Sequence, residues 1–141
     1  MQIVYLRGTA LWPNLTDPDK FDNFGTNLIL DDESLAIFRN LKVKAKPKID
    51  TKSNRQYVRL NRKRYRTDKD GVRTENTPVK IVDKDGNDHE DNVGNGSTIV
   101  CKCIVYDTTA GRGMRLEAVM IEELKAYSKP TITAADNIVP F

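Results

Sequence analysis

The chain has 141 residues, 38% hydrophobic and 30% charged, with a formal net charge of +3, which suits one ordinary domain with a compact core. No apolar run approaches the ~20 residues that a membrane-spanning helix needs, and Met1–Gly8 lacks the charged, apolar, small-residue order of a secretory signal. Cys101 and Cys103 are too few for a disulfide framework and, with His89 as the single histidine, too few for a closed structural zinc site; reduced thiols and a cytoplasmic setting are expected, with no metal, no cofactor and no membrane.

Taken in chain order, residues 2–12 (QIVYLRGTALW) are rich in β-formers and carry Gly8 inside, so a strand with a bend or bulge is expected. Pro13, Asn14, Asp17 and Pro18 mark a loop, and residues 23–30 (NFGTNLIL) a second strand. Asp31 suits a helix N-cap, with Asp32 and Glu33 complementing the positive end of the first turn. Leu35, Phe38 and Leu41 then recur at threefold spacing, predicting a helix over 32–41.

Residues 42–54 are basic and interrupted by Pro47, which reads as an extended or flexible connection. Residues 56–66 alternate: Val58 and Leu60 fall on one side, and Tyr57, Arg59, Asn61, Lys63 and Tyr65 on the other. Asp-Lys-Asp-Gly occurs twice, at 68–71 and 83–86, as turn signals flanking a short apolar stretch at 79–82. Gly94 and Gly96 mark another loop. Two strong strands, 98–106 and 114–124, close a domain expected to span 1–127; residues 128–141 show no periodicity and are expected to form a disordered, flexible tail. A mainly β domain follows. A five-stranded OB-fold-like barrel with one short helix is the most economical form, because closure hides the edges of short strands. A β-sandwich is the alternative.

The modest net charge hides a segregation. Residues 39–80 hold 15 basic and 4 acidic side chains, a net of +11, and the remainder carries −8. Such a division points to a polyanionic partner. Within it, Tyr57, Arg59, Lys63 and Tyr65 would share one face, with Arg62, Arg64 and Arg66 on the opposite parity at a strand tip. Cations neutralise phosphates and release counterions, while flat rings stack on unpaired bases, contributing about 1–3 kcal/mol per base whatever the sequence. Lys44, Lys46, Lys48 and Arg55 extend the strip. The two tyrosines can equally be half-buried packing residues. Trp12, beside a proline loop, is as suited to plugging the barrel end as to stacking. Arg112 flanks a Gly-rich turn where backbone can approach a phosphate, although a plain hairpin explains that turn too.

Other chemistry finds no support in the motifs. A calcium loop needs an acid first and a Glu twelfth around its central Gly; those positions hold Ile81 and Asn92, or Arg66 and Thr77. Asn14–Thr16 matches a glycosylation acceptor, but nothing directs it to secretion. Neither a Ser/His/Asp arrangement, nor a phosphate-binding Gly-Lys-Ser/Thr loop, nor a paired-His motif is present. A non-enzymatic binding protein is expected.

Two stretches carry a resemblance. Residues 95–107 (NGSTIVCKCIVYD) followed by 111–124 (GRGMRLEAVMIEEL) resemble the closing β-hairpin of phage single-stranded-DNA-binding proteins of OB-fold type. Residues 7–13 (RGTALWP) and 24–33 (FGTNLILDDE) resemble the N-terminal half of that family. The resemblance implies a protein that coats and protects single-stranded DNA during phage replication and recombination, in the host cytoplasm. The alternative is an RNA-binding or strand-annealing accessory protein on the same barrel. The last residues, 136–141 (DNIVPF), are similar to the tail tip of bacterial single-stranded-DNA-binding proteins. That similarity makes Asp136, Ile138, Pro140 and Phe141 a candidate docking element for host or phage replication and recombination proteins.

Overall fold

Among the described residues, nine strands and one helix follow one another as β1 (Gln2–Asn14), β2 (Asn23–Leu30), α1 (Asp32–Leu41), β3 (Lys48–Asp50), β4 (Arg55–Lys63), β5 (Tyr65–Thr67), β6 (Arg73–Glu75), β7 (Lys80–Val82), β8 (Thr98–Thr108) and β9 (Gly111–Glu123). They are seen in a computed structural model that describes residues 1–126. The expected tail, 128–141, lies outside the described residues, and with it Asp136, Ile138, Pro140 and Phe141.

Seven strands form one sheet in the order β3-β4-β2-β1-β8-β9-β7, while β5 and β6 pair as a separate ribbon. The five long strands, β4-β2-β1-β8-β9, follow the order of an OB-fold, and a single large sheet excludes the sandwich. β4 and β9 share no hydrogen-bonded ladder, so the barrel is open along one seam. The expected five strands are thus joined by four short ones. β3 lies in the stretch read as a connection, where Lys48–Asp50 pairs with Arg55–Tyr57.

β1 is shared between the two halves of the sheet. Gln2–Thr9 pairs with β8, and Gly8–Asn14 with β2. Gly8 is where the strand passes from one partner to the other. A Cβ there would collide with the Ile29 carbonyl oxygen, so only glycine lets the two backbones approach so closely.

The core follows the inward parity of each strand. Val4, Leu6 and Ala10 of β1, Leu28 and Leu30 of β2, Val58 and Leu60 of β4, Ile99, Cys101, Cys103 and Val105 of β8, and Leu116, Val119 and Ile121 of β9 are all buried. Both cysteines are free, and burial pushes both thiols up, Cys103 to about 12, which keeps them protonated and inert at neutral pH.

α1 matches its expected bounds. The Asp31 carboxylate accepts from the Ser34 amide at 2.8 Å, and Lys42 ends the helix in the left-handed region. Burial works against the charge on Asp31, but hydrogen bonding to Ser34 and to Arg7 outweighs it and holds the carboxyl below its ordinary value. Phe38 and Leu41 sit in the core.

The long strand expected to run to Arg66 stops at Lys63. Its partner β2 begins at Asn23, opposite Lys63, and the Arg64 amide leaves the ladder to donate to the Asp22 carbonyl. Both Asp-Lys-Asp-Gly segments are turns. Asp68 accepts from the amides of Asp70 and Val72, and Asp83 from those of Asp85 and Asn87, so these carboxylates serve their own backbone. β8 and β9 run further into their connection than expected, leaving only Thr109 and Ala110 at the turn.

Candidate nucleic-acid interface

The pairing register lays out the outer face of β1, β2 and β4 in rows, because residues directly opposite one another share a face. Tyr57 stands beside Ile29 and Lys48, Arg59 beside Asn27, Asn61 beside Gly25, and Lys63 beside Asn23. β1 adds Thr9, Leu11 and Asn14 to the first three rows. No acidic side chain stands on these rows. From Tyr57 to Lys63 the face runs about 20 Å at the rise of an extended strand.

Arg59 occupies its centre and is held in position. Its guanidinium donates to Asn14 Oδ1 at 2.6 Å and Asn61 Oδ1 at 2.8 Å, and lies 3.9 Å from Asp19. Burial lowers the Arg59 pKa and Asp19 raises it; a guanidinium stays protonated through such an effect. A cation fixed by neutral amides, with a single carboxylate at the edge of contact distance, retains charge to offer an incoming phosphate.

Two exposed aromatics flank the face. Phe21 is 71% exposed in the loop between β1 and β2, with the Lys20 ammonium 5.1 Å from its ring centre. Trp12 is 68% exposed, so it does not plug the barrel. It sits at a bulge between Leu11 and Asn14 with φ +49, and its amide donates to Asn95 Oδ1. A bulky residue at positive φ is unusual, and bulges re-aim side chains near functional sites. The indole borders a cleft shared with Asn14, Asp17, Asp91 and Asn95; Asn14 joins that cleft to Arg59.

The other expected residues are distributed differently. Arg62 is on the inward parity. It is only 14% exposed and bridges the open seam, with Nη1 3.3 Å from Glu117 of β9 and Nε donating to the Thr77 carbonyl at 2.8 Å. Arg64 pairs with Asp22 and Glu75. Tyr65 lies in the β5–β6 ribbon, where the Arg73 guanidinium covers its ring at 3.8 Å and Arg64 approaches at 5.1 Å. Arg66 is exposed beside it. Arg112 donates to the Leu41 carbonyl at 2.9 Å and so caps α1 from the β8–β9 hairpin. Lys44 lies there too, its amide donating to the Arg112 carbonyl. Lys46 borders a separate cleft with Phe38, Arg39 and Ile49. Arg55 donates to the Leu30 carbonyl at 3.3 Å. The structure therefore gathers Lys48, Tyr57, Arg59 and Lys63 on one face, places Arg64, Tyr65 and Arg66 in or beside the ribbon, and sets Lys44, Lys46 and Arg112 at the end of the helix.

Asn14, Asn27 and Phe21 join the face without having been assigned to it from the sequence, whereas the alternation already placed Asn61 there. Phe21 was findable by the same basic-aromatic logic, since Lys20 precedes it. Asn14 and Asn27 carry no signal until the register is known.

No family model and no curated protein matches the chain. Solved structures do. A single-stranded DNA binding protein encoded by bacteriophage T7 superposes with a TM-score of 0.63 at 18% identity, covering 99% of this chain and 96% of that one. This chain has the fold of phage single-stranded-DNA-binding proteins. The single-stranded DNA-binding protein of bacteriophage Enc34 is similar at a TM-score of 0.56 and 9% identity over 95% of this chain and 88% of that one. In complex with single-stranded DNA it gives the same TM-score at 8% identity, over 89% and 88% of the two chains.

Proposed function

We propose that the protein coats single-stranded DNA without sequence specificity during phage DNA replication and recombination, as a non-catalytic binder in the host cytoplasm. The observation that carries this reading is the acid-free outer face of β1, β2 and β4, with Arg59 fixed at its centre and exposed rings at its margin. The fold shared with phage single-stranded-DNA-binding proteins supports it. Lys48, Arg59 and Lys63 would neutralise phosphates, Tyr57 and Phe21 would stack on bases, and the asparagines would hydrogen-bond whichever base edge arrives. Under the same reading Asp136–Phe141 docks on a replication or recombination protein, with Phe141 as apolar anchor and Asp136 as the charge for a basic pocket.

Trp12 is the single tryptophan and makes the test direct. Its fluorescence is titrated with oligo-dT, oligo-rU and duplex DNA of one length at two salt concentrations. Oligo-dT is expected to bind tightest, with affinity falling steeply as salt rises. Equal or tighter binding of duplex overturns the proposal, and a preference for oligo-rU transfers it to RNA.

A further inference from the structure

The large sheet ends at β3, and that edge is open. Lys48–Asp50 pairs with Arg55–Tyr57 on one side only, and among the described residues no further backbone group bonds to Lys48 or Ile49. The opposite end of the sheet differs. There the Ile81 carbonyl of β7 accepts from the His89 amide, and Val82 bridges Asp88. An exposed edge is a template for another strand, and lysine and proline commonly guard it. Lys46, Pro47 and Lys48 occupy this one. Such guards repel a second edge of the same charge, but they attract a strand that is acidic.

Beside the edge lies a cleft of about 430 Å³. Ile49 and Gln56, opposite one another in the register, form its sheet wall, so it opens on the side of β3 turned away from Tyr57 and Lys48. Its floor is apolar. Phe38 and Val43 are buried there, whereas Ile49 is 62% exposed. Its rim is basic, made by Arg39, Lys42 and Lys46. Residues 39–48 hold five cations and no acid. Arg39 donates to Gln56 Oε1 at 3.3 Å, but none of the three rim cations has an ion-pair partner among the described residues. The negative end of α1 does not offset them, because Arg112 donates to the Leu41 carbonyl and covers it.

These features suit a polypeptide better than a nucleic acid. A stacked base needs an exposed ring, and the one ring here, Phe38, is buried. An open strand edge offers amides and carbonyls in the spacing of a peptide backbone. We propose that β3 and this cleft bind an extended acidic segment of a partner protein. The segment adds a strand to β3, sets an apolar side chain against Ile49 and places carboxylates on Arg39, Lys42 and Lys46. Because Tyr57 and Lys48 face the other way, partner and single-stranded DNA are held together, and the site does not depend on the DNA reading.

The test uses the full chain and a fluorescein-labelled peptide of about eight residues, within the span of ordinary strands, with Asp and Glu around a central Ile-Val pair. A control peptide carries the amide in place of each acid. Anisotropy is read with and without saturating oligo-dT. The acidic peptide is expected to bind in both cases, more weakly as salt rises, and about tenfold more tightly than the control. Lys46→Glu should weaken it about tenfold, since repulsion replaces attraction. Ile49→Thr should weaken it about fourfold, the contribution of one buried methylene group. Both side chains are exposed, so each variant should keep the wild-type melting temperature and oligo-dT affinity. Amide exchange along Lys48–Asp50 should slow in the complex, as an added strand requires. Absent binding, equal binding of the control, displacement by oligo-dT, wild-type binding by both variants or unchanged exchange along β3 each overturns the proposal. Self-association of the chain that Lys46→Glu abolishes would give the cleft to a second copy and overturn it too.

Discussion

The outer surface of the large sheet changes character at Gly8. On the β2 side, β1 contributes Thr9, Leu11 and Asn14 to rows containing Lys48, Tyr57, Arg59 and Lys63. On the β8 side the same strand presents Ile3 and Tyr5, 54% and 58% exposed, beside Ile104 and Lys102. Both halves bury one common core, so the fold demands neither outer surface. What separates them is which residues occupy the outward parity. Amides and fixed cations gather where β2 and β4 supply the neighbours. Apolar side chains, with Lys102 and the Arg7–Glu122 ion pair among them, gather where β8 and β9 do. A chain can thus keep its architecture while the two halves of one sheet carry different outer surfaces.

The most severe way to break the comparison is Gly8→Val. The obstructing atom is backbone, the Ile29 carbonyl, and cannot swing aside as a side chain would. A loss of about 3 kcal/mol, the upper end for overpacking, is expected, read as a large fall in melting temperature with both halves disturbed. A melting temperature close to wild type would show that β1 passes between its partners without needing that approach. A smaller effect sharpens the contrast. Tyr57→Ala should weaken oligo-dT binding by about 1–3 kcal/mol with the salt slope unchanged, and Arg59→Ala should reduce that slope by about one. Normal binding by a Tyr57→Ala protein of lowered melting temperature would make the ring a packing residue. The smallest effect is expected on the other half, where Tyr5→Ser should leave both stability and DNA affinity within about 0.5 kcal/mol. A binding loss there equal to that of Tyr57→Ala would erase the distinction between the two halves.

Much of this was legible before any coordinates. The helix could be placed because Asp31, the acidic first turn and the spacing of Leu35, Phe38 and Leu41 agree. The alternation at 56–63 separated Val58 and Leu60 from Tyr57, Arg59 and Lys63 because period two survives in a half-buried strand. Sequence reasoning went astray where alternation continued past the end of a partner. Arg64 has no β2 residue to pair with, so its amide turns to Asp22, and Tyr65 passes into a ribbon where Arg73 covers it. Arg62 shows a second limit. Parity put it on the side of Val58 and Leu60, yet at a strand tip expected to be wet and cationic. Only the bulge at Glu117, far along the chain, gives it a carboxylate to meet across the seam. Trp12 shows a third, since a left-handed bulge obeys no period and decides that the ring is exposed.

The divided pairing of β1 also bears on how the chain acquires its structure. Its second half can find β2 within a few residues of synthesis, but its first half waits for Thr98–Val105. At about 5–20 residues per second, those partners emerge some 4 to 18 seconds after β1. During that interval Ile3 and Tyr5 lie on an unpaired edge, the kind of segment through which nascent chains associate wrongly. Contacts spanning such separations slow folding. The rate-limiting event should therefore be arrival of the β8–β9 hairpin, which completes the core and, through Arg112, secures the end of a helix made from residues translated long before it.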